Sequence, residues 1–127
     1  MSLCVCGSGR PYAGCCGALH LDGKNALTAE ALMRSRYSAY VLGLESYLLA
    51  TWHSSTRPES LDLASDGPTK WLGLEVRRHL AQDENNAIVE FVARYRIAGR
   101  GHRLHEVSNF VREDGRWFYV DGVVNGA

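Results

Sequence analysis

No cysteine occurs after residue 16, and the chain's four cysteines crowd into its first sixteen residues as Cys4, Cys6, Cys15 and Cys16. The 127 residues also lack an excess of either charge, with 14 Lys and Arg against 14 Asp and Glu, so nothing in the net balance draws the protein toward a polyanion. Any nucleic-acid contact would need a local patch. No apolar stretch approaches the length of a bilayer span, which argues against a membrane protein. Met1-Ser2-Leu3-Cys4 does not read as an export signal, so a cytoplasmic address with reduced thiols is expected. Internal repeats and low-complexity tracts are missing. So are a Gly-x-Ser-x-Gly elbow, a glycine-rich phosphate loop and a His-Glu-x-x-His helix, which removes the commonest linear signatures of hydrolases, nucleotide enzymes and metalloproteases.

What is present begins with sulfur. Cys4-x-Cys6 followed by Cys15-Cys16 reads as a metal knuckle, because two short turns that each deliver two thiolates can close a tetrahedral zinc site at about 2.3 Å per bond without a hydrophobic core. Iron or another soft metal, free thiols and a disulfide pair are the alternatives, and the last needs an oxidising compartment. Gly7 and Gly9 permit positive φ, which lets backbone N–H groups turn toward the sulfurs. Arg10 stands close enough to offset part of the net charge of about −2 that four thiolates leave around a divalent ion. His20 is at most a spare ligand and reads as a surface histidine beyond the knuckle.

The run from Cys4 through Gly7-Ser8-Gly9 to Cys15-Cys16 resembles the SEC-C motif, the zinc-binding tail of the export motor SecA, with Cys16 where that tail usually has histidine. Further along, Ala29-Glu30-Ala31-Leu32-Met33-Arg34-Ser35-Arg36-Tyr37-Ser38-Ala39-Tyr40, Thr51-Trp52-His53, Trp71-Leu72-Gly73-Leu74, Glu90-Phe91-Val92-Ala93-Arg94-Tyr95 and Gly115-Arg116-Trp117-Phe118-Tyr119-Val120-Asp121-Gly122 resemble the bacterial YchJ family over essentially the whole chain. Some members carry a second SEC-C motif at the C-terminus, and this sequence reaches Ala127 without one. The resemblance implies a fold like nuclear transport factor 2, a cystatin-like cone of curved antiparallel sheet wrapped by helices. It implies no established activity.

Periodicity agrees with α+β. Thr28 is an N-cap with Glu30 in the first turn, and Leu32, Met33, Tyr37, Tyr40 and Val41 recur at helical spacing until Gly43. Glu45 to His53 reads as a second short helix burying Tyr47, Leu48 and Trp52, ended by Ser54-Ser55-Thr56-Arg57-Pro58. From Trp71 the period becomes two, with Leu72, Leu74, Val76 and Leu80 on one face, then Val89, Phe91, Ala93, Tyr95 and Ile97. The expected units are a knuckle over 1–22 and an α+β domain over 27–127, joined at the turn Asp22-Gly23-Lys24-Asn25.

Turns give the strand register. Asp114-Gly115 pairs Arg112 with Trp117, Phe110 with Tyr119 and Ser108 with Asp121. A two- or four-residue loop in Gly99-Arg100-Gly101-His102 places Ile97 opposite Leu104, Tyr95 opposite Glu106 and Phe91 opposite Phe110. Both hairpins then put Glu106, Ser108 and Asp121 among Tyr95, Tyr119 and other aromatic residues. Buried carboxylates need partners. The candidates are Arg36, Tyr37 and Tyr40 from the first helix and His53 after the second. The assembly is either a structural network or a small-molecule pocket, with Glu106 or Asp121 as a base and His53 or a tyrosine as a donor. Catalysis is the less favoured reading, and a four-sulfur zinc has no open position for water. His53 beside Ser54 reads as local capping.

Arg94, Arg96, Arg100, His102 and Arg103 form the one basic run, either a phosphate-contacting tip or solvated strand ends. Two functional classes compete, the first as the default and the second as the alternative. The first is an interaction module whose knuckle offers Val5, Pro11 and Tyr12 to a protein or ribosome-associated partner, by analogy with SecA's tail. The second is a binder or enzyme using the concave face.

Overall fold

The computed structural model describes residues 3–61 and 69–124. Helix α1 (Cys16–His20) follows the cysteine loop, α2 (Ala29–Leu42) and α3 (Glu45–Ala50) come next, and four long strands complete the fold: β1 (Thr69–Asp83), β2 (Asn86–Ile97), β3 (Arg100–Glu113) and β4 (Arg116–Val124). The strands make one antiparallel sheet in the order β1-β2-β3-β4. This is the expected α+β arrangement of helices on a curved sheet.

Helix α2 starts where the sequence caps it. Thr28 has extended backbone and its hydroxyl accepts from the Ala31 N–H at 3.0 Å, satisfying one of the helix's free donors. Gly43, at φ 73°, ends it in the left-handed region. Leu32, Met33 and Tyr37 are buried on its core face, together with Ser35, Arg36 and Ser38. The hydroxyl of Ser38 has no partner among the described residues. Helix α3 ends at Ala50, three residues short of the expected His53, because the next backbone groups bond to β4. The N–H of His53 donates to Tyr119 O at 2.7 Å and the N–H of Tyr119 to Thr51 O at 2.9 Å, a pairing that a helix would forbid.

Bulges in the edge strands bend the sheet. In β1, Leu72, Arg77 and Gln82 are extra residues between successive partners. The alternation is therefore broken, and Trp71, Leu74 and Val76 pack on the core while Leu72 and Leu80, expected beside them, are 46% and 47% exposed. In β4 the extra residue is Val120. Its carbonyl accepts from the Thr56 hydroxyl at 2.6 Å. Strand β2 is regular, and Val89, Phe91 and Ala93 are buried on the concave side. Its turn to β3 is Ala98-Gly99, both at positive φ, rather than a loop beginning at Gly99. Phe91 therefore meets Glu106, Ala93 meets Leu104 and Tyr95 meets His102, a four-residue slip from the expected register. Because four is even, every side chain keeps its face.

Candidate metal centre and concave cavity

Leu3 pairs with Pro11 across the cysteine loop, and the Cys4 N–H donates to Arg10 O at 2.8 Å. Gly7 and Gly9 both sit at φ 82°, which turns the chain between the two sulfur pairs at no steric cost. Cys15 then leads into α1, so that one tight loop and one helix start bring all four sulfurs together. The Sγ atoms lie within 4.8 Å of one another, with Cys6 and Cys15 at 3.6 Å and Cys15 and Cys16 at 4.0 Å. A tetrahedron with bonds of about 2.3 Å has edges of about 3.8 Å, so the four donors fit a single soft metal ion. All four are free of disulfides. Hydrogen bonding from the Cys16 thiol, against the upward push of burial, holds Cys6 down to about 4, whereas Cys16 beside that thiolate is pushed up. Ser8 Oγ reaches Cys15 Sγ at 3.1 Å and Arg10 Nη2 approaches it at 3.8 Å, supplying outer donors to the one partly exposed sulfur.

Cys4, Cys6 and Cys16 belong to the same buried cluster as Leu32, Met33 and Phe110. The Arg34 guanidinium donates to Cys6 O at 2.8 Å, and His20, expected on the surface, is half buried. One ring nitrogen of His20 meets the Tyr12 hydroxyl at 2.7 Å and the other Ser35 O at 2.8 Å, which leaves neither for a metal. Burial pushes its pKa down. Tyr12 is likewise turned inward rather than offered to a partner, while Val5 and Pro11 remain exposed.

The second assembly is a cavity of about 290 Å³ between α2 and the concave sheet face. Of the residues singled out in the sequence, Arg36, Tyr37, Tyr40, Glu106, Ser108 and Tyr119 line it. Tyr95 does not, and stacks instead on His102 with ring centroids 5.1 Å apart. Asp121 does not either. The bulge at Val120 moves it opposite Asn109, whose side-chain amide donates to it at 2.8 Å on the outer face, and gives Ser108 the partner Gly122. His53 points away to Glu113 at 2.9 Å. Trp52 and Trp71 complete the aromatic walls.

Arg36 is 5% exposed. Its Nη1 donates to Leu48 O at 2.8 Å and Thr51 Oγ1 at 2.7 Å, and its guanidinium lies 5.0 Å from the Trp52 ring and 4.6 Å from the Tyr119 ring. Burial pushes its pKa down, and burial pushes the Tyr119 and Tyr40 hydroxyls up. Glu106 Oε2 accepts from the Ser108 hydroxyl and, at 3.5 Å, from that of Tyr119. Gly122, not among the site residues expected from the sequence, makes room for this carboxylate, since a Cβ built there would overlap it and lie 2.6 Å from Cδ.

The sequence model of the YchJ middle NTF2-like domain matches residues 28–122. The chain belongs to the YchJ family. It is 60% identical over 125 residues to a UPF0225 protein of Chromobacterium violaceum, covering 95% of this chain and 92% of the relative, and 55% identical to another from Ralstonia nicotianae, covering 94% and 89%. A solution structure of a SEC-C motif containing protein from Rhodopseudomonas palustris superposes with a TM-score of 0.86 at 36% identity, covering 97% of this chain and 98% of that one. A crystal structure of a Psychrobacter arcticus SEC-C motif containing protein gives 0.75 at 29% identity, covering 98% and 83%. Within this family frame, Arg94 and Arg103 stand opposite one another on the convex face, as do Lys70 and Arg96, and none of the four lines the cavity. Among the described residues no helix is long and apolar enough to cross a membrane.

Proposed function

We propose that this protein is a cytoplasmic zinc-binding protein whose concave cavity binds a small molecule. One observation carries the reading: Arg36 and Glu106, of opposite charge, both line one aromatic-walled cavity and make no ion pair with each other. A buried arginine and a half-buried carboxylate kept apart in this way are costly as structure and useful as binding groups. Zinc is assigned to the cysteines because four sulfurs and no oxygen or nitrogen donor make a closed, structural set, and because reduced thiols suit the cytoplasm. Ser108 is fully buried and donates to Glu106, which suits a support rather than a nucleophile. The test is native mass spectrometry after incubation with a bacterial metabolite extract. Wild type should carry one zinc and a small-molecule adduct, and Ala93→Phe, which fills the cavity beside Phe91, should keep the zinc and lose the adduct. An adduct unchanged in Ala93→Phe, or none in wild type, would remove the cavity reading.

A second reading has its own support. Leu3 is 63% and Val5 44% exposed, with Pro11 beside them on the outer side of the cysteine loop, an apolar rim that suits a protein or ribosome-associated partner. Val5→Asp should then lower co-sedimentation with ribosomes without lowering the melting temperature. Equal co-sedimentation of both proteins would dismiss it.

A further inference from the structure

Building on the cavity reading, we infer that the cavity selects a flat, net-neutral molecule whose edge sets a hydrogen-bond acceptor beside an N–H donor, as a carboxamide, lactam or nucleobase does. The two charged groups define that edge. Nη1 of Arg36 is taken by Leu48 O and Thr51 Oγ1, and the rings of Trp52 and Tyr119 lie against the guanidinium. Nη1 carries both of those bonds, and on the cavity side the guanidinium has the Tyr40 hydroxyl as its polar neighbour, so a ligand acceptor would sit beside Tyr40 and take the remaining donor capacity of Arg36. Glu106 is the complement. Its Oε2 is held by the Ser108 and Tyr119 hydroxyls, while Oε1 receives no donor among the described residues. A ligand donor belongs there.

Charge then narrows the class. Arg36 and Glu106 are the two ionisable groups of full charge in the lining, and they sum to zero. A carboxylate or ammonium ligand would match one and face the other in a low-dielectric space, where an uncompensated charge is expensive. A neutral ligand with both a donor and an acceptor satisfies each pole and adds no charge. The walls supply the flatness: Tyr37, Trp71, Phe91 and Phe110 present rings to a space of about 290 Å³, which suits one ring with a compact polar edge. Gly122 holds the Glu106 pole in place, because any side chain there would push the carboxylate off Ser108.

Three probes of one shape separate the outcomes: benzamide, benzoate and benzylamine, titrated into the zinc-loaded protein and followed by the indole N–H signals in a ¹⁵N spectrum. Trp52 and Trp71 line the cavity and Trp117 does not, so Trp117 is an internal reference. Benzamide should move Trp52 and Trp71, leave Trp117 in place, and bind about tenfold more tightly than either charged probe, the usual scale for leaving one buried polar group unmatched. Glu106→Gln removes the negative pole and should shift preference toward benzoate by a similar factor. The wild-type series decides by itself if that variant does not fold. A charged probe that equals or beats benzamide would overturn the ligand class while leaving the cavity reading intact. If no probe moves Trp52 or Trp71, the ligand class fails, and the adduct seen or not seen with the metabolite extract decides the cavity reading separately.

Discussion

The cysteine cluster and the concave cavity are both polar assemblies set into one hydrophobic core, and they are built on opposite plans. In the first, four sulfurs face one another, three of them are buried, and the neighbouring donors of Ser8 and Arg10 point at the fourth. Nothing is left over for an outside molecule. In the second, Arg36 and Glu106 spend part of their hydrogen-bonding capacity on Leu48, Thr51, Ser108 and Tyr119, Arg36 has Tyr40 beside it as well, and Glu106 Oε1 receives no donor among the described residues. The difference is one of satisfaction: a closed set has its donors and acceptors matched internally, whereas the cavity pair leaves hydrogen-bonding capacity facing a space, which is what the proposed ligand would use. The two are also joined. Helix α2 receives the Cys6 carbonyl through Arg34 and His20 through Ser35 O, then presents Arg36 to the cavity two residues after the first contact and one after the second.

Substitutions can break this contrast, the closed site first. Cys6→Ser removes a fully buried sulfur and should abolish stoichiometric zinc in the native mass spectrum and lower the melting temperature by about 10 °C, given roughly 3 °C per kcal/mol for a chain of this size. Arg36→Met strips Leu48 O of its side-chain donor and empties the stack between Trp52 and Tyr119. Chemical denaturation should report a loss of about 1–3 kcal/mol with zinc retained. Gly122→Ala forces Glu106 aside and should cost about 1–2 kcal/mol in the same measurement, with ligand binding lost as well. The smallest effect sharpens the contrast from the other side. Ser38 carries a buried hydroxyl with no partner among the described residues, so Ser38→Ala should leave stability unchanged or raise it by about 0.5 kcal/mol, and a clear loss would mean that this hydroxyl has a partner in solution.

Local chemistry was legible in the sequence and long-range geometry was only partly so. The cap at Thr28, the stop at Gly43 and the Asp114-Gly115 turn depend on neighbours within a few residues, and each is where the residue types require. The four cysteines converge because their spacing leaves little choice. Face assignment in β2 and β3 survived a four-residue register slip, since only odd slips exchange the faces of a strand. Bulges are what escaped. Val120 is an ordinary strand residue, and its extra place in β4 is held by the hydroxyl of Thr56, 64 residues earlier, so nothing near it could show that Asp121 leaves the concave face. The same holds for Leu72 and for the pairing of Thr51 and His53 with Tyr119. His20 and Tyr12 were hidden for a further reason: their partners are each other and a helix carbonyl, Ser35 O, whose exposure to them depends on how α1 packs against α2. Trp52 and Gly122 had a weak signal, an aromatic residue just past a short helix and a glycine inside a strand, where close approach by another group is a standing explanation.

Through Arg34 and Ser35, the closed cluster supports the helix that roofs the open cavity. Amide hydrogen exchange, compared between the zinc-loaded and chelated protein, addresses it directly. Protection should fall together across the cysteine loop, α1 and the Ala29–Leu42 helix, while the centre of β2 and β3 keeps most of its own. Loss confined to residues before Leu27, with α2 as protected as before, would contradict it and make the cluster an independent appendage.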